Sequence, residues 1–382
     1  MPFYSLDTIL DFLEPINKFD ISDDRGYRPT QLGHHIEAYE KYFPEIEKAD
    51  FVIVGCGDMR GAGAEKGISN AADMVRKELY NLYHWHKEVT VMDAGNVVTG
   101  ATLHDTYAAL RTVVKELLLN CKRILILGGS HDLTTAQYNV YAEGGQIIEM
   151  TCIDALIDMN MESVLPADHF LMPLLTDDPN FVRHYNHIGF QSYFVHPTML
   201  ETIDRLRFDC YRTGRVKEDV EEMEPVIRNT DLLSIDISAI QHAHAPANRI
   251  TPNGFTGEEV CMLMQYAGMS HVNSTIGLYG YVPAYDVHNL TAKQLSQMIW
   301  YYMDGIQKGK HEAAFGDTEK FNEYKLAFAE VETTFLQSKK TGRWWMKIPD
   351  EKYIACSYQD YVSAGKNEIP ERWLRAVERA AV

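Results

Sequence analysis

The sequence predicts an α/β protein with a mainly parallel sheet that helices cover on both faces. From residue 51 onward, short apolar segments alternate with amphipathic ones, and this alternation is typical of such sheets. Three of the apolar segments, residues 124–127, 146–153 and 232–236, run into polar residues that can carry chemistry. Ligand sites in open α/β sheets lie just beyond the carboxyl ends of the strands. We therefore expect one site where these three segments end.

The individual elements follow from local periodicity and from capping residues. Apolar runs bounded by turns predict strands, and apolar residues three or four positions apart predict helices. We predict strands over residues 51–55, 89–93, 124–127, 146–153, 186–190, 232–236 and 274–279. We predict helices over residues 69–83, 103–117, after His131, over 197–208, 216–226, from Gly257, and over 295–306. Residues 241–256 contain three alanines and two prolines without a clear period, so they are expected to form a long loop over the strand ends.

The chain divides into three parts. Residues 1–48 are predicted to be an N-terminal helical extension, residues 49–307 the α/β domain, and residues 308–382 a more charged C-terminal extension packed on it. The segment Arg343-Trp344-Trp345 is predicted to tie that extension to the domain, because tryptophans bury large areas. A surface for a binding partner is the alternative. The glycine-rich loop over residues 55–67 lacks the Gly-x-Gly-x-x-Gly pattern of a dinucleotide site.

Composition limits the function classes. The chain carries 54 acidic and 36 basic residues, a formal net charge of −18, which argues against nucleic acid or an anionic membrane as a partner. Small cationic molecules and metal ions suit this charge better. The six cysteines are far apart without paired spacing, the sequence begins without a signal-like segment, and no apolar run reaches spanning length. These features predict reduced thiols and a cytoplasmic protein.

The three strand ends carry motifs in a recognisable order. They read Gly128-Gly129-Ser130-His131-Asp132, Asp154-Ala155-Leu156-Ile157-Asp158 and Ser234-Ile235-Asp236-Ile237-Ser238. This order resembles the arginase superfamily, the ureohydrolases that include agmatinase and formimidoylglutamase, over residues 51–307. The segments at residues 187–195, 234–240 and 343–345 look most like formimidoylglutamase-type proteins. The resemblance implies a three-layer α/β/α fold and hydrolysis of a carbon–nitrogen bond in a linear amidine by two bridged manganese ions.

The resemblance also implies which residues hold metal. One metal of the family would be held by His131, Asp154, Asp158 and Asp236, which are all present. The second metal would share Asp154 and Asp236, but its own positions are occupied by Leu156 and Ser238. The family's substrate-pairing glutamate corresponds to Gly280. We therefore expect one Mn²⁺ or Mg²⁺ at most, because leucine has no donor atom and the other ligands suit hard ions.

Catalytic and compensating residues are less clearly marked. The resemblance gives Asp158 a catalytic role, and His169 is a candidate for the family's proton-shuttling histidine. His242 and His244 follow the third motif and could be recruited to the lost metal position. The alternative is that these two histidines are solvated. Aspartates at strand ends can likewise be helix caps or partners of arginine, and His131 can be a core histidine.

Three functions stay open at this point. The first is an arginase-superfamily protein whose binuclear centre is degenerate, a candidate pseudoenzyme that is weakly active or non-catalytic and binds a small-molecule ligand. The second is an active hydrolase of the formimidoylglutamase or agmatinase kind that uses one metal or recruited histidines. The third is a structural subunit that oligomerises through the extensions. Superfamily members are commonly trimers or hexamers, so the resemblance implies a homo-oligomer.

Overall fold

A computed structural model describes residues 7–64, 69–313, 317–329, 331–349 and 352–380. Its strands are β1 Leu13–Glu14, β2 Glu37–Ala38, β3 Phe51–Cys56, β4 Val91–Val97, β5 Ile124–Gly128, β6 Ile148–Ile153, β7 Val182–Phe190, β8 Asp209–Arg212, β9 Leu232–Asp236, β10 Thr275–Tyr279, β11 Phe321–Phe328, β12 Val331–Ser338, β13 Trp344–Lys347 and β14 Tyr353–Cys356.

The α-helices are α1 Asp7–Leu10, α2 Lys18–Ile21, α3 Leu32–His35, α4 Ala71–Tyr80, α5 Leu103–Asn120, α6 Thr134–Glu143, α7 Leu171–Thr176, α8 Pro197–Arg205, α9 Thr213–Glu218, α10 Glu224–Arg228, α11 Gly257–Met269, α12 Leu290–Gly309, α13 Tyr358–Gly365 and α14 Glu371–Ala380. No helix of the described residues is long and apolar enough to cross a membrane. The predicted glycine-rich loop is only partly described, since residues 65–68 fall outside the described ranges.

The main sheet confirms the predicted mainly parallel architecture. It has ten strands in the order β1-β4-β3-β5-β10-β9-β6-β7-β8, with β2 also paired to β4. The central pairs are all parallel, and β1 is antiparallel to β4. Because β5, β10, β9 and β6 are parallel neighbours, their carboxyl ends lie side by side.

Helices cover both faces of this sheet. Alternate residues of one strand contribute to different cores: Ile53 packs with α11 and α12 residues such as Leu263 and Leu295. Val54 packs on the opposite face with α5 residues such as Leu110. This is the three-layer arrangement expected from apolar runs that are buried on both faces.

The N-terminal extension differs from the purely helical prediction. It contains short helices, but Leu13–Glu14 pairs antiparallel with β4 and Glu37–Ala38 pairs parallel with it. The extension therefore adds strands to the edge of the main sheet, where unpaired backbone groups would otherwise be exposed.

Two other elements depart from the sequence prediction. The helix expected over residues 216–226 is divided into α9, a 3₁₀ segment Val220–Met223 and α10. The division falls at Asp219, whose backbone is not helical, at φ −155° and ψ 87°. Strand β8, at the sheet edge, was not predicted, because Asp-Cys-Tyr-Arg is neither an apolar run nor a clear alternation.

The C-terminal extension forms a sheet of its own, with the antiparallel order β11-β12-β13-β14. The Arg343 guanidinium donates from Nη1 to the Met269 carbonyl at 3.0 Å. Arg228 of α10 donates to the Trp344 carbonyl at 2.8 Å and stacks 4.5 Å from the Trp345 ring centroid. These contacts confirm that the Arg-Trp-Trp segment ties the extension to the α/β domain.

Candidate metal centre

A cavity of about 600 Å³ opens where β5, β6, β9 and β10 end. All three motifs reach it, as does the loop over residues 241–256, which the sequence placed over the strand ends. The register explains the convergence, since Ile153 pairs with Ile235, and Asp236 pairs with Tyr279. The lining includes the four predicted metal ligands and the three family positions predicted to be lost: His131, Asp154, Leu156, Asp158, Asp236, Ser238 and Gly280.

His131 is at the centre of the retained ligands. Its Nδ1 atom lies 3.0 Å from Asp154 Oδ2 and 2.9 Å from Asp158 Oδ2. One ligand atom from each of these residues lies within 4.8 Å of the others, and no other such group occurs among the described residues. Asp236 lines the same cavity but is outside this group. The structure thus brings three of the four predicted ligands into one cluster and places the fourth beside it.

Ser234 determines how the His131 ring presents itself. The ring's Nε2 lies 2.8 Å from Ser234 Oγ, which is 2.7 Å from Thr134 Oγ1. Nε2–H donates to Ser234 while Ser234 donates to Thr134, which holds the ring with Nδ1 toward the two carboxylates. Burial disfavours charge on the ring, but its hydrogen bonds with Asp154 and Asp158 outweigh burial and raise the pKa of His131 well above its usual value. A divalent metal at Nδ1 would replace that proton and leave Nε2–H on Ser234. Fixing the tautomer through the second nitrogen is how histidine ligands are oriented in metal sites.

The substituted positions are engaged differently. The Ser238 hydroxyl donates a short hydrogen bond to Asp154 Oδ1, which also accepts the backbone N–H of Leu156 at 2.9 Å. Ser238 is buried at 1% exposure. The Oδ1 oxygen of Asp154 is therefore satisfied by protein donors, and the Leu156 side chain offers no ligand atom.

Gly280 leaves room that Asp236 fills. Gly280 has φ +80°, and a Cβ atom built on it would overlap the Asp236 carboxylate. The other oxygen of that carboxylate, Oδ1, accepts the backbone N–H of Ser238 at 2.8 Å. A larger residue at position 280 would therefore have to displace Asp236 as well as adopt a left-handed backbone.

Burial and mutual repulsion dominate the electrostatics. Burial, reinforced by the charge of Asp154, raises the pKa of Asp158 to about 8, and burial with the same neighbour raises the pKa of Asp236 to about 6. Burial also disfavours charge on Asp154, but the hydrogen bond and charge of His131 outweigh it and lower the pKa of Asp154. Carboxylates crowded in this way favour a bound cation.

The three other histidines considered for the site, His169, His242 and His244, are not part of the described cavity lining. His169 follows the 3₁₀ turn Pro166–Asp168, and the described lining includes Ala167 and Asp168 but not His169. His242 directs Nδ1 to the Asn248 carbonyl at 2.8 Å. His244 packs near Gly257, with Nδ1 3.1 Å from where a Cβ of that glycine would be. Neither histidine is part of the described lining, so their recruitment finds no support in this arrangement.

Two residues that support the site were not predicted. Ser234 lies in the third motif, and the only sequence signal for its contact with His131 is a hydroxyl two residues before Asp236. Asn248 holds the loop over the cavity, since its amide donates to the Ser238 and Ile240 carbonyls at 3.1 and 2.7 Å. Nothing in the local sequence indicates these contacts, which depend on the tertiary fold.

The donor set fits a divalent metal. One imidazole nitrogen and neighbouring carboxylate oxygens suit Mn²⁺ or Mg²⁺, with water completing the shell. Beside these donors, Leu156 has no ligand atom and the Ser238 hydroxyl is engaged with Asp154.

Sequence comparison finds relatives among the formimidoylglutamases. Formimidoylglutamase of Vibrio parahaemolyticus is 30% identical over 116 residues, which are 29% of this chain and 33% of that protein. Formimidoylglutamase of Staphylococcus aureus is 24% identical over 66% of this chain and 85% of its own length. Among solved structures, formimidoylglutamase of Bacillus subtilis matches with a TM-score of 0.63 at 17% identity, covering 73% of this chain and 92% of that one.

A further solved structure, Trypanosoma cruzi formiminoglutamase with Mn²⁺, matches with a TM-score of 0.62 at 15% identity over 70% of this chain and 96% of that chain. At these identities the structural likeness concerns the fold. The model of the Arginase family matches residues 49–304, close to the domain predicted at residues 49–307. The chain belongs to the arginase family.

Proposed function

We propose that this arginase-family protein retains one divalent metal position, has lost the second, and uses the cavity to bind a small linear amidine with weak hydrolysis or none. The observation that carries the proposal is the engagement of Asp154 by Ser238. It occupies the carboxylate oxygen that a second ion would need, beside a leucine that cannot replace a histidine ligand.

The protein residues have distinct roles in this proposal. His131, Asp154 and Asp158 would hold the ion, with Asp236 beside them. A bound divalent ion would supply Lewis acidity, which lowers the pKa of a coordinated water. Ser234 orients His131, while the acidic floor of the cavity favours the cationic end of an amidine. Gly280 offers no carboxylate to orient that end, which removes a charge-assisted hydrogen bond from the substrate.

Metal content and turnover test the proposal together. Protein purified with Mn²⁺ present would be analysed for manganese and assayed with N-formimidoyl-L-glutamate, agmatine and L-arginine. We expect about one manganese per chain, and product release at or near the background rate. The variant Asp154→Ala should lose the manganese.

A matched control lies on the same strand. Glu149 is at the opposite end of β6 and pairs with Arg183 at 2.9 Å outside the cavity. Glu149→Gln removes one carboxylate and should leave metal content unchanged. Two manganese ions per chain, with rapid turnover that disappears in Asp154→Ala, would instead establish an active binuclear hydrolase. No manganese in the wild type would refute the retained site.

A further inference from the structure

Arg249 is a cation at an otherwise acidic cavity. The described lining contains four carboxylates, from Asp154, Asp158, Asp168 and Asp236, and Arg249 is the one arginine or lysine among these described lining residues. Among the described residues, none forms an ion pair or hydrogen bond with the Arg249 guanidinium. Arg249 is exposed at the mouth of the cavity, so its guanidinium is available to a ligand that enters there.

The backbone that carries Arg249 is held firmly. The side-chain oxygen of the preceding Asn248 accepts the backbone N–H of Ile250 at 2.9 Å, and its amide is bonded to the floor of the cavity. Ala247 donates its backbone N–H to Thr291 Oγ1 at 3.0 Å. The backbone is therefore held by hydrogen bonds on both sides of Arg249. Less backbone entropy is then lost when the Arg249 side chain binds a ligand.

Tyr285 orients the guanidinium. The Arg249 Cζ atom lies 4.4 Å from the centroid of the Tyr285 ring, and both residues line the cavity. A guanidinium stacked on a ring leaves its in-plane N–H donors free, and these match a carboxylate in a bidentate manner. Tyr285 belongs to the 3₁₀ segment Pro283–Tyr285 that follows β10, which places its exposed ring near the strand ends.

We propose that Arg249 binds the carboxylate of a ligand whose amidinium end faces the acidic floor. The cavity therefore selects amidino acids over decarboxylated amidines. This inference rests on the proposed function for the amidine part of the ligand, but the carboxylate part stands on Arg249 itself. A volume of about 600 Å³ is in the range of small-molecule sites.

L-Arginine and agmatine provide the matched ligands, because they differ by the carboxylate alone, and glutarate supplies carboxylates without an amidine. Calorimetric titration of the manganese-treated full chain would compare wild type, Arg249→Met and Arg25→Met. Arg25 is a control because it also lies over an aromatic ring, 5.8 Å from the Phe19 centroid, and is outside the described cavity lining.

The wild type should bind arginine at least about tenfold more tightly than agmatine, in line with the strength of charged hydrogen bonds. Arg249→Met should remove that preference and weaken glutarate by about tenfold, with agmatine unchanged. Arg25→Met should behave as wild type.

Equal affinities for arginine and agmatine in the wild type, or a preference that survives Arg249→Met, would overturn the role of Arg249. So would failure of both arginine and glutarate to bind. Glutarate binding that depends on Arg249, together with no binding of either amidine, would support the carboxylate role while refuting the amidine part of the proposed function.

Discussion

The two halves of the cavity floor share one scaffold and differ in their donor atoms. In the retained half, His131, Asp154 and Asp158 place ligand atoms within 4.8 Å of one another. In the substituted half, Leu156 and Ser238 occupy loops from the same strand ends, β6 and β9, and Ser238 is as deeply buried as any ligand. The sheet positions both halves equally well, so the difference in expected chemistry arises from side chains and not from the fold.

Removing the central imidazole tests the retained half most severely. His131→Ala deletes the one nitrogen donor and leaves two carboxylates facing each other, so Mn²⁺ affinity should fall by at least about 100-fold, about 2.7 kcal/mol. Calorimetry or manganese paramagnetic resonance would measure it.

His187→Ala is the control for this variant. His187 is buried equally well, but its Nε2 faces the Asp154 backbone carbonyl at 3.1 Å, and burial lowers its pKa to about 4, so it is neutral. Its loss should reduce stability and leave metal affinity within a few-fold. An unchanged affinity in His131→Ala would remove the distinction between the halves.

Restoring donors tests the substituted half. The double variant Leu156→His with Ser238→Asp supplies the nitrogen and carboxylate that the family motif has there, and it removes the hydroxyl that engages Asp154. We expect manganese to rise from about one to about two per chain, with hydrolysis of a linear amidine above the wild-type rate. Elemental analysis and an ammonia or urea assay would show both.

Each single variant serves as its control, since neither supplies the complete donor set. A stoichiometry that stays at one in the double variant would mean that the substituted half differs in its backbone as well as in its donors. That result would contradict the view that side chains alone separate the halves.

Loss of the orienting hydroxyl should have an intermediate effect. Ser234→Ala frees the His131 ring from its 2.8 Å contact, and loss of such a partner typically weakens metal binding 10- to 100-fold. Ser274→Ala is the control, because it removes a partly buried hydrogen bond of 2.7 Å to the Tyr141 hydroxyl at the other end of the sheet. Both variants should lose about 1 kcal/mol of unfolding free energy, but only Ser234→Ala should weaken Mn²⁺, as titration would show.

The smallest effect concerns the glycine under Asp236. Gly280→Ala and Gly145→Ala both place a side chain at positive φ, +80° and +65°, which costs about 1 kcal/mol. A Cβ at Gly145 meets nothing within 4 Å, whereas one at Gly280 meets the Asp236 carboxylate. Denaturant unfolding should therefore show Gly280→Ala to be less stable than Gly145→Ala by about a further 1 kcal/mol. Equal losses would mean that Asp236 moves away freely.

Much of the α/β domain could be predicted because its strands are buried on both faces. Residues 124–128 are a continuous apolar run, and residues 232–236 are mostly apolar up to Asp236. Such segments are typical of buried strands, and the order of the motifs that follow them indicated the family. The C-terminal sheet was not predicted. Its strand β11 is buried at its two ends and alternates half-buried and exposed residues between them, a weak alternation within a segment that is otherwise marked mainly by its charge.

The site divides in the same way. His131, Asp154 and Asp158 could be predicted because each motif follows a strand of one parallel sheet at the same edge, and they do meet. The position of Asp236 outside that group could not be predicted from the sequence, since it depends on the space left by Gly280. Arg249 belongs to no recognised motif. Its place over the cavity results from the hydrogen bond that the Asn248 amide donates to the Ser238 carbonyl, ten residues away in sequence.

The docking of the C-terminal sheet also determines which optical signals the protein can give. Three of the chain's five tryptophans, Trp344, Trp345 and Trp373, lie in that extension, and the described cavity lining has tyrosine but no tryptophan. Indole fluorescence will therefore follow release of the extension from Arg228 and Arg343. Ligand binding in the cavity should change the indole fluorescence very little. Replacing Tyr285 with tryptophan would place an indole in the cavity, so that ligand binding would change the fluorescence.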